Sequence, residues 1–99
     1  MNLGNAIKTL RKHKDIKQYA FAELCGLSQT YLSQIENNQK EPNISTLKLI
    51  TEKLNVALPL LFFLAIDADD IPESKKQAFQ IIGPTVKQLI SELVENDWT

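Results

Sequence analysis

The chain is predicted to be all-helical, and three observations predict it. Apolar residues recur at spacings of three and four along most of its length, as in Leu3, Ile7 and Leu10. No segment alternates with period two for long enough to make a strand. With three glycines and four prolines in 99 residues, the composition suits helices joined by short turns.

The elements follow in order. Leu3, Ile7 and Leu10 define one face of a first helix. It ends in the polar run Arg11 to Asp15, whose cations suit the negative end of the helix dipole. Gln18 to Cys25 reads as a short second helix with Phe21, Ala22 and Cys25 inward. Gly26 stops it, because glycine enters the left-handed conformation without strain. Ser28 is a good N-cap for a third helix running to about Asn37. Pro42 lies in the next loop. Asn43 caps a fourth helix carrying Leu47, Ile50, Thr51 and Leu54 on one face, and Asn55 ends it. A fifth helix spans Leu58 to about Leu64, with Pro59 at its start. Asp67 to Asp70 forms an acidic linker or cap. Pro72 suits the first turn of a sixth helix, whose periodicity runs to about Asn96. Gly83-Pro84 predicts a kink there, or two short helices, because proline removes a hydrogen bond.

Composition narrows the function. The overall charge of −1 hides a division: residues 1–66 carry eight Lys/Arg against five Asp/Glu, and residues 67–99 carry three against seven. The basic part suits a polyanion, and the acidic part would be kept away from one. Single Cys25 cannot form an internal disulfide. With no signal peptide at the start, this points to the cytoplasm. The longest apolar run, Val56 to Ile66, is too short for a bilayer and holds Pro59, so no membrane association is expected. Lone His13 has no second metal ligand beside it. No nucleophile–base pair, carboxylate pair or phosphate-cradling glycine loop is visible, so neither an enzyme nor a cofactor is expected. Cys25 reads as a core thiol rather than a redox sensor.

The spacing around Gly26 is more specific. Ala22 lies four residues before it and Leu32 six after. Two helices cross steeply over a three-residue turn only when a small side chain sits at their contact, a residue tolerant of positive φ occupies the turn, and apolar anchors follow. Ala22, Gly26, Leu32 and Ile35 supply these. The string from Gln18 through Ala22, Gly26, Ser28-Gln29 and Leu32-Ser33-Gln34-Ile35-Glu36, then Pro42, Leu47 and Leu54-Asn55-Val56, resembles the Cro/repressor (XRE) family of helix-turn-helix proteins. The resemblance covers about residues 3–64. It implies a five-helix DNA-binding domain over 1–66, and the helical periodicity beyond it makes 67–99 a C-terminal helical dimerisation segment. The implied function is a homodimeric transcriptional repressor reading a palindromic operator in double-stranded DNA through the major groove.

Winding the third helix at about 100° per residue puts Gln29, Thr30, Ser33, Gln34 and Asn37 on one face and Leu32 and Ile35 on the other. Amides and hydroxyls suit base edges, since glutamine pairs bidentately with adenine and threonine offers a hydroxyl or methyl to thymine. Gln29, Thr30, Ser33 and Gln34 are therefore the expected base contacts. The resemblance gives Gln18 a phosphate contact and the bracing of Gln29. It also sets Asn37, Lys40 and Asn43 on the DNA backbone, and pairs Arg11 with Glu36 as a structural ion pair. Tyr31 is expected beside the turn.

Asn38 and Asn55 stand where relatives often carry glycine, and asparagine tolerates positive φ well. Leu49, Leu60, Phe63 and Leu64 add apolar surface that a lone five-helix domain would leave wet. The tail offers a cover or a second interface: Phe79, Ile82, Val86, Leu89 and Leu93 form a stripe that Ile90 and Val94 widen. The expected dimer interface is Phe79, Ile82, Val86, Leu89, Ile90 and Leu93. The alternatives are dimerisation through the fifth helix by Leu60 and Phe63, or a tail that packs only within its own chain. A second class of function is an antitoxin or anti-regulator whose tail captures a protein partner. A small-molecule sensor has no support in 33 tail residues.

Overall fold

The computed structural model describes the backbone of residues 1–95 and the side chains of residues 1–93. Its elements are α1 (Leu3–His13), α2 (Gln18–Cys25), α3 (Gln29–Glu36), α4 (Ile44–Leu54), α5 (Leu58–Leu64) and α6 (Lys76–Glu95). Two 3₁₀ turns, Ala68–Asp70 and Glu73–Lys75, link α5 to α6. The described residues are all-α. Among them, no helix is long and apolar enough to cross a membrane.

Local chemistry sets the helix ends. Asn2, Ser28 and Asn43 accept the backbone N–H groups of Asn5, Tyr31 and Thr46 through their side chains, capping α1, α3 and α4. Gly26 closes α2 at φ +67°, and Asn55 closes α4 at φ +57°. The core gathers the inward face of each helix. Ile7, Phe21, Leu32, Ile35, Ile50, Leu54 and Leu61 are fully buried. Burial of each such side chain is worth about 1.5–3 kcal/mol. Cys25 lies in this cluster, and burial raises its thiol pKa while the charge of Lys53 offsets part of the rise. A thiol held protonated in this way is a poor nucleophile.

The tail departs from the sequence expectation in three ways. It forms one helix from Lys76 to Glu95 with Pro84 inside it, not two short helices. Pro84 is exposed, as is Gln80 one turn before it, so the lost hydrogen bond falls on the solvent side of the helix. Pro72 caps the preceding 3₁₀ turn and does not enter the first turn of α6. The third difference concerns the apolar stripe, which is divided. Ile90 is 7% exposed and joins the core of its own chain, with Val86 packed against that core and Gly83 buried. Ile90 therefore does not belong to an outward interface. Ile82, Leu89 and Leu93 are 58%, 55% and 46% exposed, and Ile81 is exposed beside them. Phe79 is half-buried, with its ring against the buried Gly83. The physical reason is the width of the stripe: α6 packs on α5 with one edge and leaves the other wet. The Lys87 ammonium donates to the Ile66 carbonyl and ties the helix to the end of α5. Leu49, Leu60 and Leu64 are half-buried against the core, and Phe63 stays 40% exposed. Val94 and the expected helix end near Asn96 lie outside the described residues.

Candidate nucleic-acid interface

The site is built on α3, and the seat of α3 begins at Gly4. A Cβ added at Gly4 would stand 2.4 Å from the Ile35 carbonyl oxygen and 2.6 Å from that of Glu36. Only glycine lets the start of α1 approach the end of α3 this closely. Asn38, at φ +60°, closes the joint. Its Oδ1 accepts the Gly4 N–H at 3.0 Å, and its Nδ2 donates to Asn2 Oδ1 at 2.7 Å.

A buried ion pair fixes the other side. Arg11 Nε donates to Glu36 Oε2 at 2.8 Å, and a second guanidinium nitrogen donates to Oε1 at 3.0 Å. The third nitrogen donates to the Ile16 carbonyl at 2.8 Å. Arg11 and Glu36 are 6% and 4% exposed. This geometry gives each guanidinium nitrogen an acceptor, as a charge removed from water requires. It also removes a free carboxylate from the polar face of α3.

The network continues outward. Gln18 Nε2 donates to Glu36 Oε1 at 3.1 Å, and Gln29 Nε2 donates to Gln18 Oε1 at 3.3 Å. The chain Arg11–Glu36–Gln18–Gln29 thus runs from the core to the surface. It leaves one N–H and the carbonyl oxygen of Gln29 uncommitted. Gln18, Gln29, Thr30, Ser33 and Gln34 line one shallow hollow, together with Gln39. No charged side chain lines it.

The remaining expected contacts are dispersed. Asn37 is exposed and donates to Ser33 Oγ at 3.4 Å. Lys40 is exposed but lines a different hollow, with Leu3, Gly4, Asn38 and Glu41. Asn43 Oδ1 is engaged in capping α4, where it accepts the Thr46 N–H at 2.8 Å, and the residue is exposed. Tyr31 is half-buried against the core. Three residues went unnoticed in the sequence: Asn2, Gly4 and Gln39. Gly4 lies in the first turn of α1, where neither a positive φ nor a helix end calls for glycine, and that anomaly is the one signal that could have found it.

A small residue at a steep helix crossing, a left-handed glycine turn and a second helix with an uncharged polar face make a helix-turn-helix of the DNA-binding kind. A family model described as Helix-turn-helix matches residues 7–61. The chain belongs to this family, that of the XRE-type helix-turn-helix regulators, and carries the DNA-binding domain of such a regulator. It is 44% identical over 59 residues to the ImmF control region 10 kDa protein of Bacillus phage phi105, a match over 60% of this chain and 66% of that protein. It is 36% identical over 56 residues to the immunity repressor protein of the same phage, over 57% of this chain and 39% of that protein. These matches span just under two thirds of the first relative and well under half of the second. The crystal structure of the clp gene regulator ClgR from C. glutamicum superposes with a TM-score of 0.64 at 25% identity, covering 73% of this chain and 91% of that one.

Proposed function

We propose that this protein is a homodimeric repressor that binds a short palindromic operator, with α3 in the major groove. One observation carries this reading: an uncharged hollow of amides and hydroxyls sits on a helix anchored to the core by the buried Arg11–Glu36 pair. Gln29, Thr30, Ser33 and Gln34 meet base edges, where amides and hydroxyls recognise donors and acceptors. Gln18, Asn37, Lys40 and Asn43 meet phosphates and set the register, carrying no sequence information themselves. The phage relatives described as a control-region protein and an immunity repressor support repression.

The dimer forms through the outer edge of α6, residues Ile82, Leu89 and Leu93 with Phe79 at the margin. Residues 67–99 thereby act as the dimerisation segment. Val86 and Ile90 serve instead to seat α6 on its own domain. A symmetric pair is required because one such helix reads only a few base pairs, and dimers of this motif read half-sites about 34 Å apart.

Selection of binding sites from random DNA with the purified chain tests the proposal. The expected product is a motif with two-fold symmetry and half-sites one helical turn apart. Enrichment of a single asymmetric site, or none, would overturn it.

A further inference from the structure

We propose that Gln39, which lies beyond the recognition helix, is a further specificity-determining residue that reads a base at the end of the half-site away from Gln29. This rests on the reading of α3 as the DNA-reading helix.

Position is the first argument. Gln39 is exposed and shares the hollow of Gln18, Gln29, Thr30, Ser33 and Gln34, although it follows the last helical residue, Glu36. It gets there because Asn38 takes a positive φ and closes the end of α3, so that the Gln39 N–H reaches the Gln34 carbonyl. Rigidity is the second. The Gln39 and Lys40 N–H groups both donate to the Gln34 carbonyl, at 2.8 and 3.2 Å. Asn38 is itself held by Gly4 and Asn2. The backbone of Gln39 is therefore fixed before any ligand arrives, and only its side chain remains to be ordered on binding.

Chemistry distinguishes a base from a phosphate. The neighbours of Gln39 in the hollow are all uncharged, while the adjacent Lys40 lines a different hollow. An amide among amides and hydroxyls presents a donor and an acceptor side by side, which matches the N6 and N7 edge of adenine. The eight residues of α3 rise about 12 Å from end to end. Gln29 opens this helix and Gln39 follows its end, so the two meet different base pairs.

The test is site selection from random DNA with four versions of this chain: wild type, Gln39→Ala, Gln39→Glu and Gln29→Ala. Gln39→Ala should lose preference at one base pair per half-site, with affinity for the wild-type motif falling about 5- to 150-fold and affinity for unrelated DNA unchanged. That base pair should differ from the one released by Gln29→Ala. Gln39→Glu should move the preference at the same pair toward cytosine, whose N4 donates to a carboxylate. Equal weakening on all sequences would make Gln39 a phosphate contact and overturn the proposal, as would an unchanged motif. If Gln29→Ala also left motif and affinity unchanged, the reading of α3 itself would fail, and that result is distinguishable from a failure of Gln39 alone.

Discussion

Asn38 does two things with one side chain and one backbone angle. Its φ of +60° turns the chain at the end of the recognition helix, and its amide latches that turn to Gly4 and Asn2. Glycine would relieve the strained angle by about 1 kcal/mol. It would also delete two hydrogen bonds worth about 1 kcal/mol each and leave the Gly4 N–H without its acceptor. Asn38→Gly is therefore expected to lower stability in urea unfolding; a gain would show the latch to be ornamental. A larger effect is expected at Arg11. Breaking a buried ion pair from one side costs about 3–5 kcal/mol, because the carboxylate of Glu36 is left buried and uncompensated. Against a typical total of about 5–15 kcal/mol, Arg11→Met should bring the protein close to unfolding, and a loss below about 1 kcal/mol would contradict the structural role given to the pair. These residues differ in how legible they were. The glycine-like conformation of Asn38 could be read from its place after a periodic helix. Its partner Asn2 could not, since no local pattern links positions 36 apart. Gln39 escaped for a related reason: helical winding stops before it, and a single left-handed residue decides which way it points.

The helices themselves were legible because caps and periodicity agree. Gln18 and Cys25 bound α2, Leu58 and Leu64 bound α5, and Leu47, Ile50, Thr51 and Leu54 are the buried residues of α4. The tail was less so. Its apolar stripe spans too wide an arc for sequence alone to say which edge packs inward, and Pro84 suggested a break that a solvent-facing site tolerates. Adjacent residues now test the division. Ile90→Ala should cost about 2–5 kcal/mol, as a buried aliphatic truncation does. Leu89→Ala, one residue away and 55% exposed, should change monomer stability by less than about 0.5 kcal/mol. Equal effects in chemical denaturation at low protein concentration would mean that α6 does not pack as described.

At the scale of the whole molecule, charge and symmetry set the expectations. The acidic charge of the tail suits a position away from the phosphates, with the more basic first part turned toward them. Leu89→Glu would place a carboxylate in the proposed two-fold contact. Sedimentation equilibrium should then show a helical monomer with weakened operator binding, whereas an intact dimer would move the interface elsewhere, to Leu60 and Phe63 of α5 for example. Lys40→Ala should weaken binding to all sequences alike and lower the salt slope by about one unit, because one fewer counterion is released. A loss confined to one sequence would put Lys40 on a base.

The central claim, that the amide face of α3 reads DNA sequence, is tested most directly by titrating wild type and Gln29→Ala against the selected operator and an unrelated duplex at one salt concentration. Gln29 is exposed and its only hydrogen bond to another side chain among the described residues goes to Gln18, so the substitution should leave the fold intact. The account predicts a loss of about 1–3 kcal/mol on the operator and no change on the unrelated duplex. Equal affinity of the two proteins for the operator would contradict it.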